Sequence, residues 1–191
     1  LPENDKTNKM ATPTVEKTSM ENLGRLSKEE FLLSEKIPVC FILDNIRSLQ
    51  NVGSFFRTGD AFSIEKIILC GITGTPPNRE IEKTALGATE TVLWEHAENS
   101  LEVIKELKSS GYKIACLEQT SQSLMLNDFR PSLNEKYAFV FGNEVFGVDD
   151  SLLKEADFIL EIPQSGTKHS LNVSITAGIV IWDYYLKTRS K

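Results

Sequence analysis

From Ile37 onward the chain alternates short apolar runs with stretches in which apolar residues recur at helical spacing. The runs fall at 37–43, 66–70, 91–94, 112–117, 137–141 and 158–162, each of strand length. Between them Val52, Phe55, Phe56 and Phe62 make one helical face, and Leu101, Ile104 and Leu107 make another. Asn99 with Glu102 reads as a capping box before the second helix, and Gly111 as its stop. Continuous apolar strands alternating with helices predict an α/β fold, a mostly parallel sheet with helices on both faces. The stretch from Leu171 to Leu186 is apolar on nearly every side. Such a helix is buried all round, against its own sheet or against a second subunit.

Residues 1–20 are rich in Asn, Lys, Thr, Glu and Pro without a hydrophobic period, which predicts a disordered tail. Leu1 is not an initiator residue; Met10 and Met20 are the candidates. Ser27 and Glu30 form a capping-box pattern that predicts a short helix over 27–35. The expected organisation is a polar N-terminal segment over 1–36 and one domain over 37–191, with no repeat and no linker after residue 37.

Composition narrows the class without choosing a function. Hydrophobic content of 40% and charged content of 25% are those of an ordinary globular protein. Cys40, Cys70 and Cys116 each sit in an apolar run, with no C-x-x-C pair, and read as buried free thiols. No apolar segment reaches membrane-spanning length and no signal peptide is evident, so the cytoplasm is the expected compartment. A net charge of −6 counts against a protein that coats nucleic acid indiscriminately. It leaves room for a local basic patch, because the remote acidic surface is screened.

Candidate chemistry concentrates between Phe139 and Ile181. Two apolar runs there end in loops rich in polar residues, Gly142-Asn143-Glu144 and Gln164 to Asn172, containing glycines that let backbone come close to a ligand. No G-x-G-x-x-G turn follows the first strand, which runs into Asp44-Asn45-Ile46-Arg47-Ser48. There is also no Walker lysine and no H-E-x-x-H. Upstream, Asn51 and Ser54 stand near a helix start with Arg57 one turn on, which suits an anion; the alternative is an N-cap with a surface Arg–Asp pair. Glu144 directly follows a buried strand and reads either as a functional carboxylate or as a helix cap or arginine partner. His169-Ser170 lacks the elbow of a serine hydrolase. With only His96 and His169 available, a metal site has no support.

Together these segments resemble one family. Arg47-Ser48-Leu49-Gln50-Asn51-Val52-Gly53-Ser54 with Arg57-Thr58-Gly59-Asp60-Ala61 resembles the first motif of the SpoU (TrmH-type) RNA ribose methyltransferases of the SPOUT superfamily. Phe141-Gly142-Asn143-Glu144 with Gly147 resembles the second, and Ile162-Pro163 with Gly166 and Ser170-Leu171-Asn172-Val173-Ser174 the third. All three occur in family order and spacing over about residues 37–187. Gly59 stands where a larger small residue is common, and Ser63 where glycine is usual.

The resemblance implies a C-terminal deep trefoil knot, formed by the loops after Leu117, Phe141 and Ile162. It implies a bent S-adenosylmethionine held by Leu117, Glu118, Gly142, Asn143, Gly147, Ile162, Gly166, Ser170 and Leu171. It also implies methyl transfer to a ribose 2′-hydroxyl of tRNA or rRNA, with Asn51, Arg57, Glu144, Ser170 and Asn172 as catalytic residues. A guanidinium has no acceptor lone pair, so Arg57 is expected to stabilise the developing alkoxide, with the proton leaving through Glu144, an RNA phosphate or water. The family works as homodimers. Only about 36 residues precede the first strand, so the RNA contacts are expected from the dimer itself: Arg47, Arg57, Arg79, Lys83 and Lys168. No metal and no membrane are implied. The rival is a knotted RNA-binding module without catalysis.

Overall fold

A computed structural model describes residues 17–19 and 21–189. The expectations for residues 1–16, Met10 and Met20 lie outside the described residues. A capped helix, α1 (Lys28–Leu33), forms where expected: Ser27 Oγ accepts from Glu30 N, and Glu30 reaches back to Ser27 N.

The core is β1 (Ile37–Asp44), α2 (Leu49–Ala61), β2 (Ile64–Cys70), α3 (Arg79–Ala85), β3 (Trp94–Ala97), α4 (Ser100–Ser109), β4 (Tyr112–Leu117), β5 (Leu124–Met125), β6 (Lys136–Phe141), α5 (Asp150–Leu153), β7 (Phe158–Glu161) and α6 (Val173–Thr188). The strands make one seven-stranded sheet in the order β3-β2-β1-β6-β4-β7-β5. Every pairing in it is parallel. That is why the inner strands read as unbroken apolar runs: both of their faces are covered, whereas the edge strands β3 and β5 are largely exposed. Val39, Phe41 and Leu43 face a core with Val52 and Phe55 of α2, Ile81 of α3, and Ala177, Val180 and Ile181 of α6. Cys40 and Ile42 face the opposite core, with Val103, Ile104 and Leu107 of α4 and Leu152 of α5.

Several boundaries differ from the sequence expectation. The run at 91–94 enters the sheet only as Trp94–Ala97, because Thr91 and Val92 close a 3-10 turn onto Ala88. The two-residue β5 is too short to give a period. Asn99 caps α4 by accepting from Leu101 N and Glu102 N, so the cap is carried by the asparagine side chain. Ser63, where the family usually has glycine, has φ 52, a left-handed conformation that glycine adopts without penalty. All three cysteines are free and buried. Burial pushes the Cys70 thiol up to about 11 and Cys116 up to about 12, leaving both as inert apolar groups.

The sheet register positions the site. Leu43 pairs with Phe141, Phe141 with Leu117, and Leu117 with Leu160, one row across four strands. The loops that follow, beginning near Asp44, Gly142, Glu118 and Glu161, therefore emerge side by side at the carboxyl end of the sheet. Phe141 is further fixed by edge-to-face contacts with Phe41 and Phe55, at centroid distances of 5.3 and 4.9 Å. Those contacts lock α2 to the end of β6.

Candidate active site

Helix α2 begins where Ser48 Oγ accepts from Asn51 N, leaving other N–H groups of its first turn and approach free. Glu144, in the loop after β6, takes the two of the approach, at Arg47 and Ser48. Its carboxylate accepts from Arg47 N at 2.9 Å, Ser48 N at 3.0 Å and Asn51 Nδ2 at 3.1 Å. Burial works against its charge, but the hydrogen bonds from Arg47, Ser48 and Asn51 outweigh it and hold the carboxyl below its ordinary 4.5. Such a group is a firmly ionised acceptor at a helix N-terminus.

Asn51 carries the connection onward. It is buried, and its Oδ1 accepts from Asn172 Nδ2 at 3.1 Å and from Ser174 Oγ at 3.4 Å. Asn172 is in turn the N-cap of α6, its Oδ1 accepting from Ser174 N and Ile175 N. One chain of hydrogen bonds thus joins the β6 loop, the start of α2 and the start of α6.

The β6 loop is tight. Asn143 Nδ2 donates to Asn45 O at 2.7 Å, and Asn143 Oδ1 accepts from Val145 N and Phe146 N. Gly147 N returns to Asn143 O at 2.9 Å with φ 71. A Cβ on Gly142 would lie 2.3 Å from the Gly147 backbone, and one on Gly147 would lie 2.2 Å from Glu118 Oε2. Glu118 Oε2 accepts from Val148 N, and Glu118 N donates to Leu160 O. The loops after β4 and β6 therefore interlock through the Glu118 carboxylate, and the Glu118 backbone ties the β4 loop to the end of β7.

Between them lies a cavity of about 700 Å³. Leu117, Glu118, Gly142, Asn143, Glu144, Gly147, Ile162, Ser170, Leu171 and Asn172 all line it. Its charged lining is Glu118, Glu144, Asp150 and Glu161, with no Lys or Arg among the described residues. A ligand rich in phosphate would be repelled; a cationic ligand of cofactor size fits. Among the described residues no cluster of three metal-binding side chains occurs, and no helix is long and apolar enough to cross a membrane.

The sequence model of the SpoU rRNA Methylase family matches residues 38–182. The chain belongs to that family. It is 32% identical over 144 residues to the 23S rRNA (guanosine-2′-O-)-methyltransferase RlmB of Neisseria meningitidis serogroup B, a match covering 75% of this chain and 56% of that protein. It is also 32% identical over 145 residues to an uncharacterized tRNA/rRNA methyltransferase of Borreliella burgdorferi, covering 74% and 61%. The chain thus spans somewhat over half the length of these two relatives. Among solved structures it resembles the TrmH/SpoU tRNA modifying enzyme of A. aeolicus, with a TM-score of 0.75, 24% identity and coverage of 84% and 80%. The AdoMet-bound rRNA methyltransferase of Sinorhizobium meliloti gives 0.74, 24%, and coverage of 84% and 61%. At that identity these two likenesses establish the SpoU fold.

Not every residue implied by the SpoU motifs reaches the cavity. Gly166 is exposed, has open space where a Cβ would stand and lies outside the lining. Arg57 is exposed on α2, six residues past Asn51 and so about 9 Å further along the helix axis. Arg47, Arg79, Lys83 and Lys168 are exposed as well. Arg47 stands at the start of α2 and Lys168 in the loop before α6, whereas Lys83 is tied to Glu80 at 2.6 Å. Among the described residues neither Arg47 nor Arg57 is held in an ion pair. Sequence reasoning missed Ser48, legible as a serine three residues before Asn51. It also missed Val145 and Phe146, whose one signal is an apolar pair inside a polar loop.

Proposed function

We propose that the protein is an S-adenosylmethionine-dependent RNA methyltransferase acting on a ribose 2′-hydroxyl of tRNA or rRNA, in the cytoplasm and without a metal. The observation that carries this reading is the Glu144–Asn51–Asn172 chain closing one side of a cavity whose lining is acidic. The acidic lining suits a sulfonium cofactor, and Gly142 and Gly147 admit close approach of backbone. Leu117, Ile162 and Leu171 would supply apolar walls, with Glu118, Asn143 and Ser170 beside them. When bound, S-adenosylmethionine supplies an electrophilic methyl group.

The chain's own residues do the rest. Asn51 and Asn172 fix the mouth of the cavity and orient the ribose. Glu144 is a positioning residue: with its oxygens engaged by N–H donors and its pKa lowered, it is a poor proton acceptor. The hydroxyl proton passes to water or to an RNA phosphate, while the negative charge growing on the oxygen is stabilised by the guanidinium of Arg57, which lies outside its own chain's cavity and would be supplied by the second copy of the homodimer. Arg47, Arg79, Lys83 and Lys168 engage the RNA backbone.

The same reading includes a catalytic domain over 37–191, preceded by the segment 1–36, and a deep trefoil knot in that domain. The insertion of β6 between β1 and β4, and of β7 between β4 and β5, supports the knot. It also includes a homodimer. Ile175, Trp182 and Leu186 make an exposed apolar face on α6, with Trp182 stacked on Tyr185 and both against Phe62 of the α2 C-cap.

The test is transfer of labelled methyl from S-adenosylmethionine to mixed tRNA and rRNA in the presence of chelator. The reading expects label in RNA at an undiminished rate. An unlabelled RNA pool, or a rate that vanishes on chelation, contradicts it.

A further inference from the structure

Phe146 is out of place on any structural account. The chain has ten phenylalanines, and the other nine are buried or half-buried, whereas Phe146 is 85% exposed. Val145 beside it is 63% exposed. Among the described residues the ring of Phe146 has none of the aromatic contacts that hold Phe41, Phe55 and Phe141 together. The exposure does not come from a loose loop. Asn143 Oδ1 holds Val145 N and Phe146 N, Asn143 Nδ2 anchors to Asn45 O, and Val148 N is held by Glu118. A ring presented on a fixed loop binds without the entropic cost of ordering it.

We infer that Phe146 is the platform on which a base of the substrate RNA stacks, so that the substrate presents its target in a single-stranded, unstacked segment. This rests on the methyltransferase reading above. Phe146 lines the same cavity as Glu144, Ser170 and Asn172, so a ribose held at that mouth carries its own base, or the next one, to this ring. Arg47, whose backbone N–H is bonded to the Glu144 carboxylate, adds an exposed cation anchored to the same loop, and that cation suits the phosphate of the same nucleotide. An aromatic face beside a cation is how proteins hold splayed-out RNA bases. The cofactor's adenine is the weaker occupant. Buried apolar wall is already available to it at Phe141, Val148 and Leu160, which are at most 5% exposed. A ring that is 85% exposed stands at the rim.

The test uses the full chain, Phe146→Ala and Phe146→Trp. The probes are a short single-stranded RNA carrying 2-aminopurine, the same strand annealed to its complement, and S-adenosylhomocysteine. Wild-type protein is expected to bind the single strand with a change in 2-aminopurine fluorescence, and the duplex much more weakly. Phe146→Ala should lose roughly tenfold or more in single-strand affinity, and Phe146→Trp should stay within about twofold of wild type. Melting temperature, sedimentation and S-adenosylhomocysteine affinity should not change in either. Unaltered single-strand binding by Phe146→Ala overturns the inference. So does a loss that appears in S-adenosylhomocysteine affinity, which assigns the ring to the cofactor, or in sedimentation, which assigns it to a second copy. The two readings fail separately. A wild type that methylates RNA beside a normal Phe146→Ala sinks only the stacking platform. A wild type that transfers no methyl group, while Phe146→Ala still loses single-strand affinity, sinks only the methyltransferase.

Discussion

Asn172 Nδ2 donates to Asn51 Oδ1 at 3.1 Å across 121 residues of chain. Asn51 passes the link to Glu144 through its own Nδ2. Asn51→Ala cuts the chain in the middle and leaves both neighbours short of a partner, at a cost of about 1–3 kcal/mol. Asn172→Ala loses the same link and the N-cap of α6. Thermal unfolding of the two single variants and the double variant should give a coupling of about 0.5–3 kcal/mol. Strict additivity would mean that the two asparagines act independently.

Glu144 makes a prediction in pH. Its folded pKa lies below the ordinary 4.5, so its contribution to stability is present above that value and fades as pH falls through the lowered one. Glu144→Gln should therefore be less stable than wild type at neutral pH, and the gap should close in acid below about 4.5. Its methyl-transfer rate should fall while the pH profile near neutrality keeps its shape. A gap that widens in acid, or a shifted profile, would return Glu144 to the role of proton acceptor.

Gly142 and Gly166 look alike in sequence and differ in space. A Cβ on Gly142 would strike backbone at Gly147, which cannot yield cheaply, while one on Gly166 meets nothing within 4 Å. Gly142→Ala should lose about 1–3 kcal/mol and most S-adenosylhomocysteine affinity by calorimetry. Gly166→Ala should stay within about 0.5 kcal/mol in stability. Equal behaviour of the two would contradict the packing of the β6 loop.

Much of this was legible from the chain. Parallel strands buried on both faces need unbroken apolar runs, so Ile37–Leu43 and Tyr137–Phe141 announced themselves, as did the caps at Ser27 and Asn99. Three polar clusters at strand ends pointed to one site. What periodicity could not carry is register. Nothing local says that Leu43, Phe141, Leu117 and Leu160 share a row, and that row is what brings Asn51 to Asn172. Nor could the motifs distinguish a carboxylate that accepts a proton from one that clamps a helix. That distinction for Glu144 depends on the backbone donors it meets.

The uniformly apolar α6 also divides only in three dimensions. Ile181 is fully buried while Trp182 beside it is about half exposed. Ile181→Asp should unfold the protein, since it buries an unpaired charge. Trp182→Asp should stay folded and sediment as a monomer. A wild-type monomer at micromolar concentration would rule out the homodimer.

The central claim is that a methyl group reaches a ribose 2′-oxygen under the influence of Arg57. The most direct measurement digests methyl-labelled RNA with alkali, which spares only linkages next to a 2′-O-methyl ribose, and compares wild type with Arg57→Lys and Arg57→Ala. The account predicts labelled alkali-resistant dinucleotides from wild type. Arg57→Lys should give a small residual yield, and Arg57→Ala a rate lower by roughly a hundredfold or more, with S-adenosylhomocysteine affinity unchanged in both. Label released entirely as alkali-sensitive mononucleotides would place the methyl group on a base and contradict the account.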